Sequence, residues 1–172
     1  MISGPDNSLT GERVVLVELC AADAAELAPL LDDPALHEFI GGEPLAEPEL
    51  EARFERLAAG APPDPAAEGE EWFNWVIRRT EDGAAVGTAQ ATVREGTTKL
   101  AWVVATAHQG RGYATQAARA LVAWARSHGL EPAANIAPGH AVSERVAVRA
   151  GLAPTEESVD GERVWRGSAD PR

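Results

Sequence analysis

The sequence predicts one α+β domain built on a mixed, mostly antiparallel sheet. Three observations carry that prediction. Between residues 73 and 104, three strand-like runs follow one another with tight turns between them, which implies an antiparallel meander. From residue 112 the texture changes to helix, short strand, helix and hairpin, which adds helices and a crossover to the meander. The chain has 172 residues, of which 45% are apolar. That is enough for one domain with a full core and too little for two.

The elements follow in order. Residues 12–19 (ERVVLVEL) are β-branched and apolar with charged ends, a strand pattern. Residues 22–31 read as a helix with Asp23 near its start; Asp33-Pro34 breaks it, and a short helix through Leu36 to Phe39 follows. Gly41-Gly42 is a turn. Residues 48–59 (PELEARFERLAA) carry Pro at a helix start and Leu50, Phe54 and Leu57 at helical spacing. Residues 60–71 are Pro-rich and acidic, a loop that is either a lid or a mobile excursion.

Phe73, Trp75 and Ile77 alternate with Asn74, Val76 and Arg78, a strand that ends at Arg79. Glu81-Asp82-Gly83 turns the chain into a strand over 86–94, and Glu95-Gly96-Thr97 turns it again into 99–104. Residues 112–126 form a helix with Ala114, Ala117, Ala118, Leu121, Val122 and Ala125 on its apolar face. Gly129 stands at its C-terminal cap. A short strand is expected over 130–136, then a helix over 140–150 with Val142, Val146 and Ala150 turned inward. A final hairpin forms around Asp160-Gly161. The domain is expected over 9–167, with tails at 1–8 and 168–172.

Charge and cysteine content narrow the function. The net charge of −12 argues against a nucleic-acid partner, which requires a basic footprint. The charge is uneven: residues 94–149 hold seven bases and three acids, a segment of +4 in a remainder of −16. Such a segment suggests a local anion site, although the acidic remainder is also ordinary solubilising charge. One cysteine, Cys20, excludes an internal disulfide framework and fits a reducing cytosol. It follows an apolar strand and is expected to be a buried small hydrophobe. No run of about 18 apolar residues and no basic-then-apolar leader are present, so neither a membrane span nor export is expected. The expected location is cytoplasmic.

The stretch richest in chemistry is 103–115, VVATAHQGRGYAT. A strand runs directly into a glycine-rich helix start. Unpaired amides of the first helical turn favour an anion there, and Arg111 and the Thr115 hydroxyl add to it. Read from its residues, this is a phosphate or pyrophosphate cradle. It is neither a Walker A loop, since no Gly-Lys-Ser/Thr follows, nor a dinucleotide fingerprint, since the third glycine is missing.

The same residues resemble a known family. Gln109-x-x-Gly112-x-Ala114 matches the Q/R-x-x-G-x-G/A motif of the GNAT acyl-CoA N-acyltransferases. Residues 101–125 are similar to that superfamily's acetyl-CoA segment, most of all in the group that acetylates ribosomal-protein N-termini. LTGERVVLVEL, WVIRRTEDGAAVG and IAPGHAVSERVAVRAGL fall in the family's order around it, so the resemblance covers about residues 9–166. It implies a three-layer α/β/α fold, acetyl-CoA as acyl donor, and a primary amine as acceptor, either a basic protein N-terminus or a small cationic molecule. A monomer or homodimer is implied.

The resemblance also implies residue roles. Backbone amides of Gly110, Arg111, Gly112, Tyr113 and Ala114 would hold the CoA pyrophosphate, with Gln109, Arg111 and Thr115 assisting. The strand around Val103 and Val104 would splay from its neighbour and offer an amide to the acetyl carbonyl. Ser143 would lie near the pantetheine sulfur and protonate the leaving thiolate, unless solvent does so. Trp102 is a candidate wall of the acceptor pocket.

The chain departs from the pattern at three places. His140 stands where Asn usually contacts pantetheine, Gln116 where Glu is frequent, and Lys99 where a Glu in the preceding strand is common. The last change removes one candidate general base. A carboxylate within 38–55 or 68–71, His37 and His108 remain candidates. The departures keep two alternatives open: an aminoglycoside-type antibiotic acetyltransferase, and a CoA-binding domain that has lost catalysis. The four histidines lack metal-ligand spacing, so no metal is expected. His128 is expected at a helix C-terminus, and the five tryptophans mainly in the core.

Overall fold

The computed structural model describes residues 8–60 and 69–167. The expected tails, apart from Ser8, and most of the 60–71 loop lie outside the described residues.

Strands β1 (Ser8–Thr10), β2 (Val14–Glu18), β3 (Glu71–Arg79), β4 (Ala85–Arg94), β5 (Thr97–Val104), β6 (Glu131–Ile136), β7 (Ala153–Val159) and β8 (Glu162–Arg166) form one sheet. Its order is β1-β2-β3-β4-β5-β6-β8-β7. Every pairing is antiparallel except β5 with β6. The helices are α1 (Ala24–Leu31), α2 (Pro34–Ile40), α3 (Glu47–Ala58), α4 (Tyr113–Ser127) and α5 (Ala141–Arg149). The chain is thus α+β with a mixed, mostly antiparallel sheet. β1 is the element without a sequence signal: three residues are too few to show a period, and it includes Ser8, one residue before the expected domain start.

Alternation along the strands builds two cores. Val14, Leu16, Trp75, Ile77, Leu100 and Val104 face α4 and α5 and pack on Ala117, Leu121, Val122, Val146 and Ala147. Val76 and Ala85 face the other way and pack with Leu27 of α1 and with Leu50, Phe54 and Leu57 of α3. Helices therefore cover both sides of the sheet.

Local chemistry sets the turns. Glu95 and Gly96 have φ of 50° and 82°, and Asp160 and Gly161 have 51° and 83°, the left-handed pairs that two-residue hairpins require. Asp33 accepts the Ala35 amide at 2.9 Å and so caps α2. The Thr106 side chain, and after it the Ala35 amide, hold the Asp33 carboxyl below its ordinary pKa. His128 caps α4 and its Nδ1 meets the Trp124 carbonyl at 2.8 Å.

Two burial expectations fail. Cys20 is exposed, because the chain has already left the sheet and Cys20 precedes the turn into α1. Val142 is 50% exposed whereas Val146 and Ala150 are each 6%. The first turn of α5 projects beyond the core, so the inward stripe begins one turn later. Trp75, Trp124 and Trp165 are buried, while Trp72 and Trp102 are half-buried.

Candidate active site

The site begins where a pairing stops. β5 and β6 pair only from Thr97↔Glu131 to Lys99↔Ala133. Beyond that, residues 100–104 and 134–136 diverge and leave a gap in the sheet. On its other side β5 stays paired with β4 to Gly87↔Val104, and Ala105 donates to the Val86 carbonyl at 2.9 Å. Backbone groups alternate between strand edges. With the Ala105 amide on the β4 side, the Val104 amide points to the opposite edge, into the gap.

The strand leads into a loop of free amides. Gly110 and Gly112 have φ of 74° and 82°, conformations that favour glycine. Gly112 is the N-cap of α4, and the first helical bond is Gln116 to the Gly112 carbonyl at 3.1 Å. Among the described residues, no acceptor meets the amides from Gly110 to Thr115. Nothing lies within 4 Å of where a Cβ would project at Gly110 or Gly112, so the glycines are set by φ rather than by crowding. Arg111 is exposed beside these donors. The loop offers unpaired N–H groups, a helix dipole and one guanidinium, a donor set that fits a pyrophosphate.

Side chains around the loop hold it in place. Gln109 Nε2 donates to the Val104 carbonyl at 3.0 Å. The motif's glutamine is thereby committed to the strand end. Gln116 Oε1 accepts the Arg13 amide at 2.6 Å, and Arg13 Nη1 reaches the Arg111 carbonyl at 3.1 Å. The Arg13 guanidinium also lies 5.2 Å from the centre of the Tyr113 ring. Tyr113 is 3% exposed and Thr115 9%. Their side chains are largely buried, while their backbone amides face away from any protein acceptor among the described residues.

A cleft of about 470 Å³ opens at the gap. Trp102, Val103, His140 and Ser143 line it, as do residues of α2 and α3. Val103 shares a sheet face with Ala101, toward α3, whereas Trp102 packs with the core on the α4 side. His140 is the N-cap of α5, and its ring stacks on Phe39 of α2 with centroids 3.9 Å apart. Burial holds its imidazole below the ordinary pKa, with Glu144 pulling the other way. Ser143 is half-buried, and its hydroxyl makes no hydrogen bond among the described residues.

The candidate bases separate. His37 lines the cleft, but its Nε2 and Nδ1 face the carbonyls of Leu31 and Gly41 at 3.1 and 3.2 Å, so both nitrogens are engaged. His108 lies outside the cleft, and burial and then Arg79 and Arg111 hold it below its ordinary pKa. Glu43 is the cleft carboxylate within 38–55. Glu70 bonds the Trp72 indole at 3.0 Å and is not part of the lining. Glu162 also lines the cleft. No local pattern marks it, because β8 is placed beside β6 only by the closing hairpin. Among the described residues no cluster of three His, Cys, Asp or Glu is placed to hold a metal ion.

A family model for the acetyltransferase (GNAT) domain matches residues 13–153. The chain belongs to the GNAT acetyltransferase family. Solved structures share the GNAT fold at low identity. A GNAT-family acetyltransferase from Bacillus anthracis is 16% identical with a TM-score of 0.74, covering 92% of this chain and 95% of that one. The ribosomal-protein alpha-N-acetyltransferase RimL, in complex with coenzyme A, is 14% identical with a TM-score of 0.75, covering 95% and 99%. The aminoglycoside acetyltransferase AAC(6')-Ib, in complex with paromomycin and acetyl-CoA, is 18% identical with a TM-score of 0.71, covering 90% and 92%. A search among curated proteins returns no match. No helix of the described residues is long and apolar enough to cross a membrane.

Proposed function

We propose that this GNAT acetyltransferase transfers acetyl from acetyl-CoA to a cationic primary amine by direct attack in a ternary complex. One observation carries the reading. The gap between β5 and β6 opens beside the strand end from which the free amides of residues 110–115 follow, and the cleft under α2 and α3 reaches that strand as far as Val103. A donor and an acceptor therefore meet at one strand end from different directions.

Bound acetyl-CoA supplies a thioester whose acetyl group passes to the amine nitrogen. The amides from Gly110 to Thr115 and the Arg111 guanidinium bind the pyrophosphate. The Val104 amide stabilises charge that develops on the acetyl oxygen. Trp102 and His140 wall the channel. Ser143 delivers a proton to the departing sulfur. Glu43 or Glu162 takes the ammonium proton, directly or through water.

The cationic acceptor is supported by charge placement. Residues 32–58, which include α2 and α3, hold eight acids and two arginines. A basic peptide N-terminus and a small polycation both satisfy this. RimL, a ribosomal L7/L12 alpha-N-protein acetyltransferase, and AAC(6')-Ib, solved with paromomycin, share the fold. A panel of spermidine, an aminoglycoside and a lysine-rich peptide separates them. Acceptor KM should rise steeply with salt, as for a steered cation.

The deciding measurement is the melting shift with acetyl-CoA, CoA and ATP. Ligand at about 100 times its Kd adds about 2.7 kcal/mol, a shift of several degrees. Both CoA species should shift the transition and ATP should not. No shift with either CoA species refutes the reading, and binding without transfer to any amine points to a domain that has lost catalysis.

A further inference from the structure

We infer that the side-chain carbonyl of Gln90 receives an N–H of the acceptor amine, and that Asn74 sets its direction. This rests on the acetyltransfer reading above and assigns part of its acceptor site.

Gln90 of β4 and Asn74 of β3 are direct cross-strand partners. Both are half-buried and line the cleft on the sheet face below α3. Their neighbours on that side include the apolar Leu50, Phe54 and Leu57. No polar atom of either side chain is both buried and unpaired, so an unpaired atom here is one that faces the open cleft, where a ligand can reach it.

The pairing is incomplete in a definite way. Asn74 Nδ2 donates to the Leu57 carbonyl at 3.5 Å, and Gln90 Nε2 donates to Asn74 Oδ1 at 2.7 Å. The backbone carbonyl of Leu57 only accepts, so the NH2 of Asn74 must face it. That turns Asn74 Oδ1 toward Gln90 and calls the NH2 of Gln90 to meet it. Flipping either amide sets oxygen against oxygen or NH2 against NH2. The chain of donors leaves Gln90 Oε1 as an acceptor with no partner among the described residues.

Its position suits an incoming amine. Gln90 is opposite Ala101 on β5, and Val103 lies two residues further along the same face. That is about 7 Å along the strand, within the span of a long side chain and a bound ligand. The next amide, Val104, is the one that points into the gap. An amide oxygen cannot take up a proton at neutral pH, so Gln90 orients the nitrogen and leaves deprotonation to a carboxylate.

The test is acceptor kinetics of Gln90→Leu and the near-isosteric Gln90→Met, using the panel amine that the wild type acetylates fastest. Each should raise acceptor KM about tenfold, the loss of one hydrogen bond, and leave the KM for acetyl-CoA unchanged. Asn74→Leu should raise acceptor KM in the same way by freeing Gln90 to rotate. In the Gln90→Leu background Asn74→Leu should add little further, because Asn74 acts through Gln90. Acceptor KM within twofold of wild type in a folded Gln90 variant overturns the inference alone. A wild-type protein that neither binds CoA nor acetylates any amine of the panel overturns the acetyltransfer reading and this inference with it.

Discussion

Gly87→Ala tests whether the strand end at Val103 and Val104 is held in place by the absence of a side chain opposite. Gly87 pairs with Val104, and no left-handed φ is involved. A Cβ at Gly87 would stand 1.9 Å from the Val103 carbonyl oxygen, 2.9 Å from its carbon and 3.0 Å from Val104 Cα. All three are backbone atoms, so no rotamer change relieves the overlap. Reaching even 3.0 Å requires the oxygen to move about 1.1 Å, the difference between that limit and the 1.9 Å contact. Overpacking of this kind costs about 3 kcal/mol, which lowers Tm by roughly 6–12 °C at this chain length. The displaced peptide adjoins the Val104 amide proposed to meet the acetyl oxygen. A misplacement of about 1 Å can lower turnover about 100-fold. CoA affinity should fall less than turnover, because the amides of 110–115 lie beyond the moved peptide and feel it only through the Gln109 bond to the Val104 carbonyl. Thermal unfolding, CoA titration and steady-state kinetics give the three readings. Gly83→Ala is the control: its φ is 73° and nothing lies within 4 Å, so it carries only local backbone strain of about 1–2 kcal/mol and no loss of turnover. Gly87→Ala with wild-type Tm and kcat would refute the reasoning.

Three further outcomes follow from the site. Ser143→Ala should lower kcat with the KM for acetyl-CoA near normal, because the hydroxyl is free and lines the cleft; unchanged turnover removes it from the mechanism. Arg111→Ala should weaken CoA binding by about 1.5–3 kcal/mol, the worth of a charge-assisted bond to phosphate, as read by calorimetry. Burial keeps His140 below its ordinary pKa of 6.5, so as pH falls through that value the unfolded chain binds more protons than the folded one. Stability present at neutral pH is lost below about 6.5. His140→Asn should flatten part of the Tm decline as pH falls below about 6.5, while the burial-depressed His108 leaves a remainder; an unaltered decline excludes His140.

What the sequence revealed and what it hid divide along physical lines. The meander, α4 and its loop are local. Alternation, helical spacing and glycines at positive φ leave signals within a few residues, so the glycine loop and the start of α4 are legible around 109–115. The gap was not legible from periodicity. It arises because β5 and β6 pair parallel over only three residue pairs, and the expectation that the strand splays near Val103 came from family resemblance. Gln109, expected beside the pyrophosphate, and Gln116, expected only as a departure from the family pattern, fasten the loop to β5 and to the start of β2. A sequence shows that a residue is polar but not which backbone group, five or 103 positions away, will engage it.

The acceptor side shows the limit most clearly. Glu162 reaches the cleft from the last hairpin, and Asn74 and Gln90 from strands whose sequences read as ordinary alternation. On a sheet face that is half-covered, an outward polar residue and a cleft-facing one have the same period. Only the position of α3 distinguishes them, because it supplies both the roof and the Leu57 carbonyl that orders the two amides. On the proposed reading, acceptor choice in this chain turns on how α3, with four acids and two arginines, settles over a sheet of unremarkable pattern. A change in α3 that shifts its C-terminal turn should alter the acceptor preference and leave the donor site as it is.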